Sequence, residues 1–243
     1  MTIDDYINTI QKKSIAQCYK NSTIHLVSVL NKEDLEKLEH HTTKLSLLGR
    51  FSDKNVFVRE CDGEPELWVR TDYKNYRKAF EKFLSVYYSV ENIPSDYHVD
   101  HSLARCIAKK NGLQYIRLFL VPAVSNLRHG SLVERKMKSL IKDRKGYRCS
   151  MYMYIKLLGI RFPETVEELQ SNFYDIVDVF AKRVFTTRED AMGSLLGMFK
   201  LWKDVYYDNQ MSNKIRVDLA MKCFIRKITW ENMEYQSIQH YRY

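Results

Sequence analysis

Hydrophobic positions along the chain change period several times, and each change predicts an element. Ile3, Tyr6, Ile7, Ile10 and Ile15 recur at roughly helical spacing behind Thr2 and Asp4, so residues 1 to 20 are expected to form a helix. "STIHLVSVL" (22–30) reads as a strand or a buried segment. "NKEDLEKLEHHTTKLSLL" (31–48) opens on a capping Asn31 with acids in its first turn, which predicts a helix. "NVFVREC" and "PELWVRT" flank Asp62-Gly63 and read as a hairpin.

Thr71-Asp72 starts the next predicted helix, whose Tyr73, Tyr76, Phe80, Phe83, Leu84 and Tyr87 form one apolar stripe suited to core packing. Pro94 closes it. "YHVDH" (97–101) and "LQYIRLFLV" (113–121) are strand-like and can pair, joined by "LARCIAKKNG" as a loop or short helix ending at Gly112. From Ser131 to Ile160 the pattern is helical with Gly146 as a break. From Pro163 onward it is helical again, opening on "PETVEELQ". The expected fold class is α+β, predominantly helical, with a central hairpin-plus-helix unit. Three regions are expected, 1–94 (α+β), 95–145 (the central unit) and 146–243 (helical), unless all belong to one compact domain.

Composition narrows this picture. The 243 residues can bury a substantial core, and 45% hydrophobic with 28% charged residues is a globular balance. A net charge of +9 favours polyanionic partners, nucleic acid before anionic membrane. Five scattered cysteines without a Cys-x-x-Cys pair read as reduced thiols. With no apolar leader and no run of about 18 uncharged apolar residues, neither a signal peptide nor a membrane span is expected. The expected location is the cytoplasm, with signal-less export as an effector left open.

Candidate chemistry gathers in residues 97–136. His101 is suited to be a general base near neutral pH, and Asp100 beside it is a hard carboxylate. Asn126 stands at the entrance of the following helix and can reach back to the strand. His129 or Glu134 can then complete a divalent-metal site. Arg135, Lys136, Lys138 and Lys142 follow, and Arg105 and Arg128 lie close in sequence, so phosphate contacts are expected from these six.

The order Asp-His, a connecting segment, a Tyr-x-Arg-Leu strand and then Asn-x-x-His-Gly resembles the HNH, or ββα-metal, nuclease core. It is closest to the divergent versions in bacterial toxins and effectors, and the likeness is confined to residues 95 to 140. The resemblance implies a metal-dependent endonuclease acting on DNA, with RNA possible as substrate. His101 would be its base, Asn126 the orienting amide, and Asp100 the first ligand to Mg²⁺, Mn²⁺ or Zn²⁺. The second ligand stays open between His129 and Glu134, because common cores place it eight or nine residues after the Asn. A cognate immunity protein or a homo-oligomer would fit such a toxin.

Other readings compete. His98, His101, Cys106 and His129 could hold a structural zinc. His101 and His129 could cleave RNA as a metal-free acid/base pair. In the alternative from a different class, the chain is a non-catalytic basic helical protein that binds nucleic acid or an acidic partner.

Overall fold

The computed structural model describes residues 1–20, 26–36, 43–61, 63–134, 146–183 and 187–206. The chain divides into two compact units, Met1–Phe162 and Pro163–Tyr243. The first begins with α1 (Ile3–Asp5), a π-helical stretch (Tyr6–Gln11) and α2 (Lys12–Lys20). Thr2 and Asp5 cap it reciprocally, each side chain accepting from the other's backbone N–H at 3.1 Å.

Next come β1 (Leu26–Val29), α3 (Glu33–Glu36), β2 (Thr43–Ser46), β3 (Val56–Cys61) and β4 (Glu64–Arg70). The β3–β4 hairpin is the one expected around Asp62-Gly63, and Gly63 takes the φ of 83° that favours glycine. The helix expected over 31–48 is cut short. Its acid-rich start forms α3, but Thr43–Ser46 pairs with Val58–Cys61 as β2, where ladder bonds and β-branched Thr43 outweigh the helical pattern.

A long helix α4 (Tyr76–Tyr88) follows, then β5 (Tyr97–His101), α5 (Arg105–Lys110), β6 (Tyr115–Pro122) and α6 (Ala123–Leu132). After an undescribed stretch, Gly146 begins a strand rather than breaking a helix: β7 (Gly146–Arg148) lies against β1. A Cβ at Gly146 would collide with the Ser28 carbonyl oxygen, so only glycine permits that approach. The unit closes with α7 (Met151–Leu157).

Seven strands form one sheet in the order β2-β3-β4-β6-β1-β7, with β5 also on β6. β6 is the axis. Its first residues, Tyr115 and Ile116, pair with both β1 and β4, while Leu118–Pro122 pair with β5. Ser102 ties these partners together, donating from N to Arg117 O and from Oγ to Val27 O. One face of the sheet is apolar. Val56, Val58, Leu67, Val69, Leu118 and Leu120 pack there with Phe80, Phe83 and Leu84 of the α4 stripe. Each such side chain contributes about 1.5–3 kcal/mol of burial.

The opposite face carries a buried ionic triad. Glu66 lies across the ladder from Arg59 and bonds it at 3.2 Å, Arg117 at 2.7 Å and the Trp68 indole at 3.1 Å. Arg117 also donates to Ser14 and lies 4.5 Å from the centre of the Phe119 ring. The β4–β6 ladder stops at Trp68–Arg117, so β6 would present bare backbone at Leu120. Buried Gln11 completes the ladder there: its amide donates to Leu120 O at 2.7 Å and accepts from Leu120 N at 2.8 Å.

The second unit is a helical pair, α8 (Val166–Arg183) and α9 (Arg188–Tyr206). α8 starts at Val166 rather than at Pro163, and Thr165 caps it, accepting from Glu168 N at 3.1 Å. Phe173, Val177, Phe180, Ala191, Leu195 and Phe199 are buried in it. The rest of the expected C-terminal helical region, from 207, lies outside the described residues. The α+β class stands, but it is built on a seven-stranded sheet, and the described residues contain no ββα-metal unit, for the reasons given below.

Replacing Gln11 with Ala strands two buried backbone groups. The expected loss is about 2–3 kcal/mol, read as a lower urea midpoint. Gln11→Glu will not restore it, because a carboxylate cannot donate to Leu120 O; an unchanged midpoint in both variants would contradict this role for Gln11.

Candidate functional site

Alternation along β5 decides where the candidate residues point. Val99 and His101 turn toward α4, and the His101 ring meets Tyr76 edge-on at 4.4 Å. His98 and Asp100 turn to the other side, toward α6 and α7. There Asn126 Nδ2 lies 3.3 Å from His98 Nδ1, so the amide expected to orient His101 is engaged with a different histidine.

Asp100 meets Lys156 of α7. The Lys156 ammonium donates to Asp100 Oδ2 at 2.7 Å, to Glu134 Oε1 at 2.7 Å and to the His101 carbonyl at 3.2 Å. His129 Nδ1 stands 3.3 Å from the same Glu134 oxygen, near enough to feel its charge but off the line of a hydrogen bond. Two of the expected ligands are thus joined by a side-chain cation.

The charges follow from this packing. Lys156 is 1% exposed, and burial alone would drive its proton off. The Asp100 and Glu134 carboxylates outweigh burial and push its pKa above the usual lysine range. Burial would likewise raise Glu134, but the polar Nδ1 edge of His129 at 3.3 Å and the Lys156 ammonium hold it down at about 2. His101 is depressed to about 3, first by burial and then by Arg105 and Lys156. His129 is also depressed, by burial above all, with Lys156 adding to this and Glu134 opposing. Both imidazoles are neutral at pH 7. His101 Nε2 and both His129 ring nitrogens have no aligned hydrogen-bond partner.

Compared with protein-family models, with curated proteins and with solved structures, the chain matches none. Its site must be judged on its own geometry.

That geometry overturns the HNH reading. Among the described residues no three or more His, Cys, Asp or Glu side chains are grouped to hold a metal ion. The ligand set Asp100, His129 and Glu134 does not fit a divalent cation, because its two carboxylates already neutralise Lys156. The expected Mg²⁺, Mn²⁺ or Zn²⁺ ion falls with it, as do the HNH-type metal-dependent endonuclease and the structural zinc at His98, His101, Cys106 and His129. The expected base His101 is packed against Tyr76 on the far side of β5 from Asp100, and the expected orienter Asn126 bonds His98.

The expected phosphate contacts are spread out. Arg105 is exposed on α5, with its guanidinium 5.6 Å from the centre of the Tyr76 ring. Arg128 is half-buried and donates to Phe162 O at 3.4 Å. Arg135, Lys136, Lys138 and Lys142 lie outside the described residues. Among the described helices none is long and apolar enough to cross a membrane.

Lys156 is the residue that sequence reasoning missed. It is far from Asp100 in sequence and belongs to no motif. One signal was available: within "YIKLL" it is the only charge in a run whose other members are all buried. A lone Lys in such a helix must find an anion.

Lys156→Met should cost about 3 kcal/mol at pH 8, the low end for a broken buried pair because Asp100 and Glu134 keep some solvent access. The loss should shrink at pH 5, where a carboxyl without its cation can take up a proton; urea unfolding at both pH values measures it. The histidines set a second dependence. Unfolded, each binds a proton near pH 6.5, whereas folded His101 does so only near 3, so the unfolded chain binds more protons between these values. Stability must therefore fall as the pH drops through 6.5, by at most about 1.4 kcal/mol per pH unit for each histidine. His101→Gln should remove one histidine's share of that slope, and a wild-type stability that is flat from pH 7.5 to 5 would contradict it.

Proposed function

We propose that the protein is a non-catalytic, basic protein that binds the phosphate backbone of nucleic acid. The observation that carries this reading is an open cleft of about 540 Å³ at the Tyr115 end of β6, lined by Lys54, Arg70 and Lys109 with Asp72 as its only acid. Gln114, Tyr115 and Thr71 supply its polar floor. Arg70 is partly neutralised by Asp72 at 2.8 Å, but Lys54 and Lys109 have no acidic partner among the described residues.

Arg105 stands one helical turn before Lys109 on α5, and Lys110 beside it is also exposed. The cluster extends the +9 charge of the whole chain into one local surface. Among the described residues no base-reading element accompanies it, so contacts fall on phosphates and depend little on sequence. DNA is the favoured ligand and RNA the second, and the same titration separates them.

The test is fluorescence anisotropy with single- and double-stranded DNA and RNA oligonucleotides at several salt concentrations. Binding should weaken steeply with salt, the log–log slope changing by about 0.9 for each duplex phosphate contact. The triple variant Lys54→Gln, Arg105→Gln, Lys109→Gln should flatten that slope by about two to three and bind every sequence less well, with chelator making no difference. No binding at low salt, or a triple variant indistinguishable from wild type, would overturn the proposal.

A further inference from the structure

A second concave surface lies on the loop between β2 and β3. Leu48 N-terminally and Phe51 C-terminally bracket a tight turn, with Phe51 N donating to Leu48 O at 3.1 Å. Gly49 has a φ of 56°, the left-handed conformation that glycine adopts without strain. Leu48 is fully buried in the α4-facing core and Phe51 packs against it, so the turn is pinned at both ends. Its tip, Arg50, is therefore presented to solvent on a fixed backbone.

Gly49, Arg50, Phe51 and Lys82 line an open groove of about 530 Å³. One wall is apolar, from Phe51, and the rim is cationic, from Arg50 and Lys82. Neither cation has an acidic partner among the described residues. Lys78 and Val86 lie one turn to either side of Lys82 on α4, and both are exposed, Val86 at 53%. Leu47, two residues before Gly49, is 61% exposed. Glu81 is the nearest acid along α4, and Arg77 holds it at 3.1 Å. Large exposed apolar side chains beside unpaired cations mark a surface with affinity for something both apolar and anionic.

We propose that this groove docks an acidic segment of a partner protein that inserts one apolar side chain against Phe51 while its carboxylates meet Arg50 and Lys82. A phosphate backbone would leave the apolar wall unused. A bilayer would reach the exposed tips but not the recessed ring. A short acidic segment with one aliphatic or aromatic residue satisfies both halves of the groove at once. This site is separate from the Lys54–Lys109 cleft and stands whether or not that cleft binds nucleic acid.

The test uses two fluorescein-labelled synthetic nonapeptides, each with four glutamates on either side of a central residue, leucine in one and alanine in the other. Wild-type protein should bind the leucine peptide about five-fold or more tighter. Arg50→Glu with Lys82→Glu, both exposed positions, should weaken it at least ten-fold while the melting temperature holds. Lys54→Gln with Lys109→Gln should leave peptide binding unchanged, which separates this result from the fate of the nucleic-acid reading. Equal affinity for the two peptides would overturn the proposal, as would binding that survives the charge reversals. So would displacement of the leucine peptide by phosphatidylserine vesicles that lose their grip in the same double variant, which would assign the groove to a membrane.

Discussion

An ammonium group enclosed by two carboxylates and a carbonyl holds together the part of the fold in which chemistry was expected. Lys156 comes from α7, Asp100 from β5 and Glu134 from just beyond α6, so one cation ties three separately placed elements. Its position is costly to hold. A buried lysine without anions would shed its proton, and two part-buried carboxylates without a cation would repel each other and take one up. The imidazoles packed close by are kept neutral first by burial, with the Lys156 ammonium adding to it.

The same economy of polar groups recurs across the sheet. β6 is the strand on which β1, β4 and β5 all depend, and wherever a neighbour stops short a side chain takes over its bonds. Gln11 does so at Leu120, while Ser102 bonds Val27 through its hydroxyl and Arg117 through its backbone N–H. Glu66 satisfies two arginines and an indole where the opposite face would otherwise bury unpaired charge. The molecule spends its buried polar residues on structure. Lys54, Lys109, Arg50 and Lys82 are exposed and have no acidic partner among the described residues, and partner recognition is best sought there.

Local chemistry was legible in the sequence wherever a few neighbouring residues decide the outcome. The β3–β4 hairpin around Gly63, the α4 stripe, the short helix ending near Gly112 and the β5–β6 pairing all follow from such patterns. Failures came where a distant partner decides. Thr43–Ser46 became a strand because β3 lay beside it, and Gly146 starts β7 because the Ser28 backbone passes within a Cβ's reach. The candidate centre failed for the same reason. Order along the chain put Asp100, His101, Asn126 and His129 into an HNH-like frame, but Tyr76 of α4 took the His101 ring and His98 took the Asn126 amide. Lys156, invisible to any spacing rule, then took the carboxylates.

The central claim is that a side-chain cation, and no divalent metal, holds Asp100 and Glu134 together. It is tested most directly by the melting temperature of the intact protein in chelator and across increasing Mg²⁺, Mn²⁺ and Zn²⁺. The account predicts that the melting temperature in each metal stays at its value in chelator, for wild type and Glu134→Gln alike. A saturable rise with any of the three ions in wild type, abolished by Glu134→Gln, would contradict it, because tight binding to the folded state raises stability in proportion to the logarithm of ligand concentration.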